Sequence, residues 1–80
     1  MTKKEKLYRR ILSKPKDLRF EELEKVLLDC GYQLDHQSGS HCVYTRPDSF
    51  PLTIPKKTPV KSYLIDQVLE SISDFLEDQL

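Results

Sequence analysis

The sequence predicts an α+β fold in the order α-α-β-β-β-α, with a three-stranded antiparallel sheet and helices packed on one face. Three observations predict it. Apolar residues recur at three-and-four spacing near both ends of the chain, they alternate with polar ones in the middle, and Gly31, Ser38-Gly39, Pro15, Pro47 and Pro55 punctuate the junctions. Eighty residues make one domain, near the lower limit for a core without disulfides or metals, and leave no room for a cleft between two lobes. Residues 1–80 are expected to form that single domain, with residues 1–19 as a basic helical extension and linker.

Thr2 and Glu5 have the spacing of a capping box ahead of Leu7, Tyr8, Ile11 and Leu12, which make one apolar stripe on a short helix closed by Pro15. A linker from Lys14 to Arg19 leads to a second helix. There Phe20, Leu23, Leu27 and Cys30 line one side, Glu21, Glu22, Glu24 and Lys25 the other, and Gly31 ends it. Tyr32, Leu34 and His36 alternate with Gln33, Asp35 and Gln37, the period of a half-buried strand; His36 is a candidate second proton carrier across the hairpin, but its place on the side of Tyr32 and Leu34 favours a partly buried histidine. Ser38-Gly39 is the expected hairpin turn. The return strand, His41 to Arg46, puts His41, Val43 and Thr45 on one face and Cys42, Tyr44 and Arg46 on the other, and alternation alone does not choose which is covered. Pro47-Asp48 signals a turn, and Pro51-Leu52-Thr53-Ile54 a short third strand stopped by Pro55. The last helix follows Pro59. Ser62 is its expected cap, Leu64, Val68, Ile72 and Phe75 or Leu76 its buried stripe, and Asp66, Glu70, Asp74, Glu77 and Asp78 its outer face.

The net charge is zero, yet the charges are segregated. Residues 1–19 carry eight Lys or Arg against two acids, and residues 20–45 one base against five acids. Residues 46–61 hold Arg46, Lys56, Lys57 and Lys61 against Asp48 alone, whereas residues 62–80 hold five acids and no base. A neutral chain with basic blocks can present a positive face to phosphate, because a polyanion responds to local potential. Cys30 and Cys42 lack both the density of a disulfide scaffold and the spacing of a zinc finger, even when His36 and His41 are counted with them. They read as reduced and packed, and neither metal nor cofactor is expected. With no apolar run long enough for a signal peptide or a bilayer span, the expected location is the cytoplasm.

Gly39-Ser40-His41 places an imidazole at a strand start beside a flexible turn. With an unperturbed pKa of about 6.5, histidine exchanges protons near neutrality, which makes His41 the candidate catalytic residue. From Phe20 onward the residues resemble a known family. Phe20-Glu21-Glu22-Leu23 with Leu27-Leu28, Gly31-Tyr32, Gly39-Ser40-His41, Tyr44-x-Arg46-Pro47, Thr53-Ile54-Pro55 and Val60 through Leu69 together resemble the HicA family of small ribonuclease toxins. The resemblance spans about three quarters of the chain. It implies a fold similar to the double-stranded RNA-binding domain, a catalytic histidine at His41, messenger RNA as substrate and a HicB-like antitoxin as partner.

On that footing the expected reaction is metal-independent attack of a ribose 2'-hydroxyl on the adjacent phosphorus. His41 is the base or acid, Lys56, Lys57 or Lys61 neutralises phosphoryl charge, Gly39 and Ser40 admit the backbone, and Arg46 adds to the RNA contact. Tyr44 is read as core in preference to a base-stacking platform. The chain departs from the family where Lys56-Lys57 replace a second histidine found in many members, and lysine is a poor proton shuttle at neutral pH. It also carries the basic first helix, whose apolar stripe favours packing. Competing readings are an RNA-binding module without catalysis and a protein-interaction domain. A homodimer and a hetero-oligomer with the antitoxin both suit a chain this short, and no membrane is expected.

Overall fold

The computed structural model describes residues 3–47 and 49–74, with Lys3 and Lys4 described by their backbone alone. Six elements stand in the predicted order: α1 (Lys3–Leu12), α2 (Phe20–Asp29), β1 (Gln33–Ser38), β2 (His41–Thr45), β3 (Leu52–Pro55) and α3 (Ser62–Ser71). The Thr2 capping box and the expected roles of Phe75, Leu76, Glu77 and Asp78 lie outside the described residues.

α1 packs as its stripe predicts. Tyr8 and Ile11 are fully buried in the core with Leu18 of the following linker, while Leu12 is 43% exposed and drops out of the stripe. Arg10 joins α1 to α2, its Nε donating to Glu22 Oε2 at 2.7 Å and its Nη2 reaching Asp17 Oδ1 at 3.1 Å. Glu22 also accepts from the Arg19 backbone N–H at 3.1 Å, closing the first turn of α2. The Arg10 hydrogen bond, foremost, holds the Glu22 carboxyl below its ordinary range. α2 buries Phe20, Leu23, Val26 and Leu27, and Cys30 follows in the same core. Gly31 then takes φ +92°, the left-handed conformation that a helix stop demands and other residues resist.

The sheet is a meander, β1-β2-β3, antiparallel throughout. Cys42 and Tyr44 of β2 and Leu52 and Ile54 of β3 are buried against the helices, whereas His41 and Thr53 are exposed and Val43 half-buried on the open face. The Tyr44 hydroxyl donates to Glu24 of α2, tying the covered face to that helix. α3 lays Leu64, Ile65 and Val68 into the core, and Ile72 just beyond it is buried too. Neither Cys30 nor Cys42 is in a disulfide, and both are buried.

Four expectations are corrected. β1 is exposed along its whole length, and unlike β3, the other edge strand, it buries no side chain: Leu34 is 46% exposed. The register of β1 against β2 shifts between Leu34 and His36, so His36 is turned away from the side of Tyr32 and Leu34 and is solvent-facing. The tight turn is Gly39-Ser40, since Ser38 already pairs with His41; Gly39 takes φ +59° there. Finally, Lys61 is the N-cap of α3 and makes no side-chain cap, with Ser62 already inside the helix.

Candidate active site

His41 opens β2, opposite Ser38 on one side and Pro55 on the other. Its position is braced from β3: the Lys56 backbone N–H donates to the Ser40 carbonyl at 2.6 Å, which ties the hairpin turn to the basic loop. That loop is anchored in turn to the linker before α2. The Val60 N–H donates to the Leu18 carbonyl at 2.8 Å, and the Phe20 N–H to Thr58 Oγ1 at 3.4 Å. Lys56 and Lys57 before these anchors and Lys61 after them are all exposed.

Two depressions meet at His41. A larger, open groove of about 810 Å³ runs between the loop before β3 and the outer side of α3, lined by His41, Phe50, Tyr63, Gln67 and Glu70 among others. A smaller hollow of about 210 Å³ is lined by His41, Lys57, Thr58 and Lys61. His41, Pro55, Tyr63 and Leu64 belong to both. One side of His41 is thus cationic, and the other aromatic with an acidic far end.

The sequence-derived residues separate into those the fold gathers here and those it uses elsewhere. Lys57 and Lys61 flank His41, whereas Lys56, Gly39 and Ser40 line neither depression and act through the turn that holds it. Arg46 is engaged within the fold. Its Nη1 donates to the Cys30 carbonyl at 3.1 Å and its Nη2 to the Ser71 carbonyl at 2.9 Å, Ser49 Oγ bridges its Nε and Nη2, and its guanidinium stands 4.7 Å from the Tyr32 ring centre. A guanidinium so engaged caps the ends of α2 and α3. Tyr44 is core, as expected, and burial first and Glu24 second push its phenol well above its ordinary range.

Two aromatic residues at the site escaped the sequence reading. Phe50 is 89% exposed and Tyr63 is 55% exposed, and both line the larger groove. Their signal was one of misfit: Phe50 precedes Pro51 outside any strand period, and Tyr63 falls beside the Leu64, Val68, Ile72 stripe. Tyr63, Gln67 and Glu70 share one side of α3 at four-and-three spacing, which turns all three toward the groove.

Among the described residues no three His, Cys, Asp or Glu side chains are grouped to hold a metal ion, and no helix is long and apolar enough to cross a membrane. A family model described as "HicA toxin of bacterial toxin-antitoxin" matches residues 20–73. The match begins at the first residue of α2 and runs through α3, so it takes in the sheet and both depressions and leaves α1 outside. Among curated proteins and among solved structures, none matches this chain.

Proposed function

This chain belongs to the HicA toxin family of bacterial toxin–antitoxin systems, and from that premise we propose that it is an endoribonuclease cleaving messenger RNA in the cytoplasm, without a metal, through His41. The observation that carries the reading is the position of His41 at the junction of a cationic hollow and an aromatic groove. Phosphates bind in the hollow, where Lys57 and Lys61 supply positive charge and Lys56 adds to it from the rim. Bases occupy the groove. An aromatic face accepts any base, and the Glu70 carboxylate at the far end repels phosphate but can accept hydrogen bonds from exocyclic amines.

On this reading the sugar–phosphate joint lies at His41, where an imidazole can act on the 2'-hydroxyl and the phosphorus together. His41 serves there as general base or acid, and the lysines stabilise charge developing on the phosphoryl oxygens. The Gly39-Ser40 turn holds His41 at the strand start and lets the RNA backbone come close. Residues 1–80 act as one domain, with residues 1–19 as its basic helical extension and linker, packed through Tyr8, Ile11 and Leu18. A HicB-like antitoxin silences the toxin by binding it.

End-labelled single-stranded RNA incubated with the protein, with and without EDTA and beside His41→Ala, tests the reading. Cleavage that survives EDTA and is lost in the variant is the expected result. Intact RNA that shifts in a gel and is released by salt would overturn catalysis in favour of a binding module. Replacing Phe50 or Tyr63 by Ala should weaken RNA binding by about 1–3 kcal/mol each and leave binding of an abasic strand unchanged.

A further inference from the structure

β1 does not alternate simply. Leu34 pairs with Tyr44 and His36 with Val43, so Asp35 is an extra residue with no partner on β2. In regular pairing Asp35 would oppose Val43, and His36 would oppose Cys42 on the covered face. The bulge reverses this, and His36 emerges opposite Val43 on the open face. His41 lies on that same face, two residues before Val43. The two histidines are therefore diagonal cross-strand neighbours, a relation that sets residues about 7–8 Å apart, with Cβ atoms somewhat closer, within reach of a phosphodiester between the rings.

His36 is also held in place. Its Nδ1 lies 2.7 Å from Asp35 Oδ2, which leaves Nε2 as the nitrogen available to a substrate. A carboxylate on one ring nitrogen fixes the tautomer and orientation of an imidazole that moves protons through the other. The side chain is 60% exposed, open to an RNA strand lying on the sheet. Bulges are over-represented beside active sites, where they re-aim a side chain.

We propose that His36 is the second proton carrier of this site, working with His41 across the β1–β2 hairpin, with Asp35 as its positioning residue. The proposal rests on the ribonuclease reading above. One imidazole accepts the 2'-hydroxyl proton as the 2'-oxygen bonds to phosphorus; the other donates a proton to the 5'-oxygen as the P–O5' bond breaks. The products are a 2',3'-cyclic phosphate and a 5'-hydroxyl, and the rings end with exchanged protonation states. No co-reactant is required.

The test is single-turnover cleavage of end-labelled single-stranded RNA as a function of pH by the full chain and its variants. His36→Ala and His36→Gln are expected to lower the rate on the order of a hundredfold and to remove one limb of a bell-shaped profile, with RNA affinity kept. Asp35→Asn should lower the rate less and displace that same limb. RNA with sulfur at the 5'-bridging position has a leaving group that departs without a proton, so it should restore whichever histidine variant lost the acid and leave the other slow. Rescue of neither variant would overturn the pairing. If the parent cleaves, His41→Ala is inactive and His36→Ala keeps the parental rate and both limbs, this inference falls and the ribonuclease reading stands. If the parent cleaves no RNA, both fall.

Discussion

Replacing Arg46 by lysine keeps a positive charge beyond β2 but dismantles the fork that joins two helix ends. The guanidinium donates to the last carbonyls of both α2 and α3 while stacking on Tyr32, and a single ammonium group cannot hold both carbonyls and that face. A hydrogen bond from a charged donor contributes about 1.5–3 kcal/mol, and a cation on an aromatic face about 0.5–1 kcal/mol more. Arg46→Lys, losing one carbonyl and the stack, should therefore cost about 2 kcal/mol, and Arg46→Ala about 3 kcal/mol or more. An 80-residue domain has roughly 4–12 kcal/mol in all, so the lysine variant is expected to melt about 8–16 °C lower. Thermal and urea unfolding followed by circular dichroism measure the loss. RNA binding, read at a temperature where both proteins are folded, should be the same for parent and Lys variant. A Tm within about 2 °C of the parent would refute the clamp, and a normal Tm with weakened RNA binding would return Arg46 to the phosphate contacts.

Tyr44→Phe removes the hydroxyl that Glu24 accepts from and should cost about 1 kcal/mol in urea unfolding; the double variant with Glu24→Gln should fall short of the sum of the two singles. Glu22 titrates below its ordinary value because Arg10, foremost, stabilises its ionised form, so the unfolded chain binds the more protons and stability rises with pH. That contribution is complete above the ordinary carboxylate value of 4.5 and is lost as the pH falls through the lower folded value, so Glu22→Gln should flatten the acid limb of a stability profile. Gly39 takes φ +59° with open space around an added Cβ, so Gly39→Ala should cost about 1–2 kcal/mol of thermal stability from backbone strain alone, and Gly39→Asn less.

Much of the fold was legible because its signals are local. The stripe of α2, the stop at Gly31, the alternation of Cys42 and Tyr44 and the halt at Pro55 each follow from sterics and burial within a few residues. What periodicity could not supply is the accounting of long-range hydrogen bonds. Lys61 precedes α3 where Ser62 looked the better cap, because the chain enters the helix from Val60, whose N–H is already fixed to Leu18. Arg46 resembled a surface cation because its partners Cys30, Ser49 and Ser71 stand 3 to 25 residues away and offer mostly backbone oxygens, which no side-chain pattern reveals.

The site follows the same division. His41 and the lysines could be read from residue type and spacing, since a strand start, a turn and a proline place them almost without tertiary help. His36 can be named from the sequence as a second proton carrier across the hairpin, but strict alternation puts it with Tyr32 and Leu34 and favours a packed role, and one unpaired residue at Asp35 suffices to reverse that assignment. The reversal changes how the Lys56-Lys57 departure is understood. With histidine missing beyond the third strand, a site built on His41 alone would have to move two protons with one ring, or give one to water. The bulge brings an oriented imidazole to the opposite flank of His41, on the strand that already pairs with it. On the proposed reading, lysines on one flank and a histidine on the other divide the work by chemistry: permanent charge where phosphate is to be held, and a titratable ring where a proton is to be transferred.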